Sequence, residues 1–125
     1  MTLAVTQIDP ETERLVAEWI SLSEAAKRLK VPVGRVKQLI HDHKLVGVRR
    51  SGESEPQIPA IFIAGGEVLK GLPGTLTLLA DAGYNPVESI RWLFTPDDSL
   101  PGTPIEAIAA GRHTEVKRRA QALGF

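Results

Sequence analysis

Between Ser21 and Arg50 the apolar and polar positions alternate in two helical repeats and then in an extended one. Leu22, Ala25, Ala26 and Leu29 fall at i, i+3, i+4 and i+7, the repeat of one buried helix face. Ser21 or Ser23 is placed to cap that helix, and the paired alanines leave room for a second helix to cross closely. Pro32 ends the element, because it lacks a donor and disfavours helical backbone at Val31. A second helix is predicted from about Val33. It turns Val33, Val36, Leu39 and Ile40 inward and Gly34, Arg35, Lys37, Gln38 and His41 outward. Leu45 to Val48 then takes extended character and ends in Arg49-Arg50. After the polar loop Ser51 to Pro56, a second strand is predicted over Gln57 to Ile63, with Pro59 confining it to a sheet edge. Helix, turn, helix and β-hairpin, in that order, is a winged helix-turn-helix.

The flanking segments are simpler. The first residues have weak periodicity and an Asp9-Pro10 break, so residues 1–14 are expected to be a flexible tail. Leu15, Val16, Trp19 and Ile20 sit at roughly helical spacing, consistent with a helix over Glu11 to Ile20. Beyond Gly65-Gly66 the pattern is helical. Leu72 to Ala82 is apolar enough to pack on the first unit. Asn85-Pro86-Val87-Glu88 and Thr103-Pro104-Ile105-Glu106 each combine a capping residue, Pro at the first helical position and Glu three residues after the cap. A last helix runs from His113 to Leu123 and closes at Gly124. The expected fold is mainly α with a small β-hairpin: a winged helix-turn-helix over residues 15–70, packed against a C-terminal bundle of short helices over residues 71–125.

Charge sharpens this picture. The 125-residue chain is formally neutral, but residues 21–50 hold eight basic side chains against two acidic ones, a net +6. Residues 1–20 and 51–125 each carry a net −3. A neutral chain that gathers its cations on one compact unit is suited to a polyanion, and the shape of the unit points to duplex DNA. The absence of cysteine removes disulfides, thiol nucleophiles and thiolate metal sites. No apolar run is long enough to span a bilayer, and the start MTLAVTQIDPETER lacks the pattern of a secretory signal. The expected location is therefore the cytoplasm, in association with the nucleoid.

In a helix-turn-helix the second helix enters the major groove, where base edges are distinguishable. Arg35, Lys37, Gln38 and His41 are the side chains expected there. Arg or Lys can donate to guanine O6 and N7, and Gln can pair with adenine N6 and N7. Gly34 would let the start of the helix approach a phosphate closely. Arg49 and Arg50 are expected at the backbone or a flanking minor groove. Lys27, Arg28, Lys30 and Lys44 would hold phosphates and set register without reading sequence. Against this stands the ordinary role of a cationic helix face, which is simply to be solvated. Glu53 and Glu55 also make the wing tip acidic, and an acidic tip is not expected on phosphate.

The stretch LSEAAKRLKVPVGRVKQLI followed by HKLVGVRR resembles the DNA-binding unit of MerR-type and excisionase-type small winged-helix proteins. Together with PQIPAIFI, LPGTLTLLADAGY and IRWLFTPDDSLPGTPIEAIAAGRHTEVKRRAQAL, it is similar to a family of small actinobacterial DNA-binding regulatory proteins. The likeness covers about residues 20–125, and RWLFTPDDSL with its spacing to GRHTEV is the most specific part. It implies a non-enzymatic DNA-binding protein with a helical C-terminal domain. It also implies that a Ser/Thr kinase can act on an N-terminal tail, for which the candidates here are Thr2, Thr6 and Thr12.

A rival reading places function in the helical half. Trp92-Leu93, DDSLPGTPIEAI and Gly111-Arg112-His113 resemble the toxin-binding domain of certain antitoxins, which implies a protein partner or self-association through these helices. The plainer account is that Trp92, Leu93 and Phe94 are core and that TPIE is a good helix start. An enzyme has the least support. His41-Asp42-His43 are neighbours that point apart on a helix and have no companion ligands, and His113 with Glu115 is no better. Gly65-Gly66 lacks the rest of a phosphate-loop signature, and no nucleophile–base pair is evident. No catalytic residue, metal or cofactor is expected.

Overall fold

A computed structural model describes residues 6–124. Seven α-helices and five short strands are present among the described residues. The chain enters through α1 (Pro10–Leu15), whose cap is Asp9: its carboxylate accepts the Thr12 N–H at 3.1 Å. Strand β1 (Trp19–Ser21) runs directly into α2 (Leu22–Leu29), where the Ser21 hydroxyl accepts from the Glu24 N–H at 3.0 Å. Lys30 closes α2 in the left-handed conformation, and Pro32 stands before α3 (Val33–His41). Ala25 and Ala26 are buried on α2, and α2 packs on α3.

The wing is built from β2 (Val48–Arg49) and β3 (Pro56–Pro59). Contrary to the edge expected from Pro59, β3 is the central strand: the order is β1-β3-β2, all antiparallel. Pro59 is tolerated because donors alternate sides along a strand. Ala60 N–H donates toward β1, to the Glu18 carbonyl at 2.9 Å, so the Pro59 nitrogen faces the other side. There β2 pairs no further than Val48 opposite Gln57, and no ladder bond is lost. A one-turn 3-10 helix (Ala60–Phe62) leads into a second hairpin, β4 (Ile63–Ala64) and β5 (Glu67–Val68).

Two further expectations fail at the N-terminal side. Trp19 and Ile20 are strand rather than helix, because pairing with Pro59 and Ile58 outweighs a weak local periodicity. Residues 6–14 belong to the fold and not to a flexible tail. Arg49 N–H donates to the Thr6 carbonyl at 3.0 Å, Ile8 N–H donates to the Arg49 carbonyl at 2.9 Å, and Ile8 is only 2% exposed. Burying that one side chain is worth about 1.5–3 kcal/mol.

The helical half consists of α4 (Leu72–Asp81), α5 (Pro86–Phe94), α6 (Pro104–Ala109) and α7 (His113–Ala122). Both expected capping boxes form, at Asn85/Glu88 and Thr103/Glu106. Gly71, at φ +90°, precedes α4, and a Cβ there would lie 2.2 Å from that of His113. Glycine is thus required both by its backbone and by the approach of α7. One continuous core joins the two halves, running from Val36, Val48, Ile58 and Phe62 to Leu79, Ile90, Leu93 and Val116. At the seam the Phe62 and Phe94 rings lie 6.0 Å apart.

Candidate nucleic-acid interface

The outer face of α3 follows from its inner one. Val36 is fully buried and Val33, Leu39 and Ile40 are partly so, which at 3.6 residues per turn leaves Gly34, Gln38 and His41 outward, flanked by Arg35 and Lys37. Arg35, Lys37 and His41 are exposed and have no hydrogen bond or ion pair among the described residues. Gly34 is helical, and a Cβ built on it meets nothing within 4 Å. The fold itself therefore does not need glycine there, whereas a close approach from outside would. Gln38 is less free than its sequence position implies. Its amide donates to both Asp42 carboxylate oxygens, at 3.0 and 3.1 Å. To read adenine it must release its donor from that exposed i, i+4 contact, which is a weak one.

The surrounding cations divide into two groups. Lys27, Lys30, Lys44 and Arg49 are exposed and without partners among the described residues. Arg28 is paired to Glu24 at 2.9 Å on the surface of α2. Arg50 is not an outward contact, contrary to expectation. Its guanidinium donates to Gln57 at 3.2 Å and to Glu13 at 3.5 Å, and lies 5.4 Å from the centre of the Trp19 ring. The reason is the pleat. Successive side chains in β2 and just after it face opposite ways, so Arg49 points out and Arg50 folds over the sheet onto α1.

Lys30 and His43 have φ of 58° and 60°, a left-handed conformation that costs an L-residue roughly 1–2 kcal/mol and a glycine much less. Each follows one of the two helices of the unit. The strain is borne by side chains that point to solvent, beside the cationic face.

A network across the two halves was not legible in the sequence. Arg91 of α5 donates to Thr12 Oγ1 at 3.0 Å and to Asp9 at 3.1 Å. Thr12 is 1% exposed. Of the three threonines considered for modification, Thr12 is thus closed off in the folded chain and Thr6 is exposed, while Thr2 lies outside the described residues. The Thr12 hydrogen bonds, with Arg91 as a lesser contributor, hold the Asp9 carboxyl below its ordinary pKa. Hydrogen bonds from Ser99 do the same for Asp97, and those from Thr103 for Glu106.

The helical half offers a groove of about 610 Å³ bordered by Tyr84, Glu88, Trp92, Asp97 and Pro104. Of the pair singled out for a protein partner, Leu93 is buried and Trp92 partly so, and Phe94 beside them is buried as well, as the core account of this stretch has it. Among the described residues no three His, Asp or Glu side chains gather as a metal site, and no helix is long and apolar enough to cross a membrane.

Comparison with known proteins bears on the whole chain. Residues 7–63 match the family described as "DNA-binding protein Rv2175c, wHTH domain", and residues 69–124 match "Rv2175c C-terminal domain of unknown function". The DNA-binding protein Rv2175c of Mycobacterium tuberculosis is 43% identical over 117 residues, covering 83% of this chain and 79% of the relative. The NMR structure of Rv2175c superposes with a TM-score of 0.80 at 36% identity, over 99% of this chain and 91% of the other.

Proposed function

Since the chain belongs to the family of the DNA-binding protein Rv2175c, we propose that it is a sequence-reading protein of duplex DNA. Its helix α3 enters the major groove, and it acts as a transcriptional or nucleoid-level regulator in the cytoplasm. The reading unit spans residues 15–70 together with the segment 6–14 that pairs with its wing, and residues 71–125 are its helical companion. One observation carries this reading. The outward face of α3 has Arg35, Lys37 and His41 exposed and unpartnered beside an unneeded glycine, in the unit that holds the +6 charge. Arg35 and Lys37 read guanine edges, while Gln38 reads adenine once its amide leaves Asp42. Lys27, Lys30, Lys44 and Arg49 hold phosphates. Arg28 assists only when it gives up Glu24, and Arg50 serves the fold.

The test is Arg35→Ala with Lys37→Ala. The variant should keep its melting temperature and lose affinity for its preferred duplex. Unchanged affinity in a folded variant would overturn the assignment of α3. If the N-terminal segment is a kinase substrate, Thr2 and Thr6 are the acceptors that remain.

A further inference from the structure

Charge is divided within the helical half as well. Residues 71–109 carry five acidic side chains against one basic, whereas residues 110–124 carry four basic against one acidic, and Lys70 stands just before α4. These cations are not equivalent. Arg119 is used internally: it donates to the Ser99 hydroxyl at 2.7 Å, the Ser99 carbonyl at 3.1 Å and the Glu115 carbonyl at 2.7 Å. Lys70, Arg112, Lys117 and Arg118 have no hydrogen bond or ion pair among the described residues. With Val116 and Ala120 in the core, Lys117 and Arg119 lie at opposite edges of the buried face of α7 and Arg118 points directly outward.

Lys117 is placed beside like partial charge, without a hydrogen-bond or ion-pair partner among the described residues. Its side chain lies over the first turn of α4, where a Cβ on Gly74 would come within 3.0 Å of the ammonium nitrogen. That turn is the positive end of a helix with no acidic residue and no side-chain cap. A cation held there is repelled by the helix dipole, and an anion from outside would relieve that repulsion.

The patch also connects to the reading unit. The turn of the β4–β5 hairpin lies against α2, with a Cβ on Gly66 3.7 Å from the Arg28 carbonyl. Lys70 follows Gly66 by four residues, at most about 14 Å of extended chain. A short hairpin therefore links the C-terminal end of α2, where the free cations Lys27 and Lys30 stand, to Lys70 just before α4.

We propose that Lys70, Arg112, Lys117 and Arg118 form a second cationic surface, which holds the phosphate backbone of the same duplex beyond the stretch read by α3. This rests on the DNA-binding reading above. Such a surface adds affinity and salt dependence but no sequence preference, because lysine and arginine neutralise phosphates wherever they occur.

The experiment measures anisotropy of two labelled duplexes, one of roughly 15 and one of roughly 30 base pairs, about one and a half and three helical turns. Each is titrated across a salt series with wild type and with Lys117→Gln/Arg118→Gln. For the longer duplex the variant should bind about tenfold more weakly, and its log–log salt slope should be shallower by about 2, at ~0.9 per phosphate. The shorter duplex should be bound as by wild type. The charge-keeping pair Lys117→Arg/Arg118→Lys should restore the longer-duplex affinity, which separates charge from packing. Equal slopes for wild type and the Gln variant on the longer duplex, with wild type binding both duplexes, would overturn the second surface and leave the α3 reading standing. Wild type that binds neither duplex would overturn both.

Discussion

Arg35 and Arg50 lie fifteen positions apart in the same cationic segment, yet they do opposite things. Arg35 projects from α3 with no partner among the described residues, whereas Arg50 is held by Glu13, Gln57 and the face of Trp19. The contrast extends to their surroundings. Around α3, cations are gathered and left unsatisfied, some on strained left-handed backbone. On the sheet side and along α1, the same residue types close the structure: Arg50 ties the wing to α1, and Arg91 ties α5 to Asp9 and Thr12. A net charge counts both regions alike. Only the unsatisfied region is free to meet an outside polyanion, because a cation already paired must give up its partner first.

Arg35→Ala/Lys37→Ala should have the largest effect. Loss of two groove contacts should weaken the preferred duplex roughly a hundredfold, at about 1–3 kcal/mol per good contact, with the thermal transition unchanged. Arg50→Ala should do the reverse. Losing a cation–π contact, a largely buried ion pair and a hydrogen bond should cost about 1–2 kcal/mol of stability, read by chemical denaturation, with DNA affinity nearly intact. A large loss of affinity in a fully stable Arg50→Ala protein would put Arg50 back among the phosphate contacts. Thr12→Ala, which removes hydrogen bonds to Asp9 and Arg91, should lower stability by roughly 1 kcal/mol. In the folded protein a Ser/Thr kinase should leave Thr12 unmodified, as peptide mass mapping would reveal. Arg49→Ala comes next: it should weaken all duplexes alike and lower the salt slope by about 1.

The smallest effect is on pH dependence. Asp9, Asp97 and Glu106 are all held below their ordinary values, chiefly by hydrogen bonds from Thr12, Ser99 and Thr103. Their contribution to stability is therefore complete above the ordinary carboxylate range and is lost as pH falls through it toward the depressed folded values. The melting temperature should decline as pH drops below about 4–5. Asp9→Asn should flatten part of that decline; an unaltered profile would remove Asp9 from the account.

What the sequence made legible was local. Ser21 capping α2, Pro32 before α3, the inward Val36 and both capping boxes depend on neighbours within a few residues, where helix chemistry is explicit. What it hid was non-local pairing. Trp19 and Ile20 join a strand about forty residues away, and Ile8 is drawn into the core by backbone bonds to Arg49. Pro59 sits in a central strand because it stands at the end of the ladder, a position that its residue type alone does not reveal. For the candidate interface, residue type was readable but occupancy was not. The acidic partner of Arg50, Glu13, lies 37 positions away, its neighbour Gln57 is reached only across the wing, and the partners of Arg91 lie 79–82 positions away, so no local helix or turn pattern marks these two arginines as spoken for.

Whether the unpartnered cations of the helix-turn-helix unit meet DNA phosphate is decided by anisotropy of the wild-type protein with a labelled random-sequence duplex of roughly 15 base pairs across a salt series. Neutralising roughly 4–6 phosphates predicts a log–log slope of about −4 to −5, at ~0.9 per phosphate. No binding even at low salt, or binding indifferent to salt, would contradict the claim and leave the outer face of α3 merely solvated.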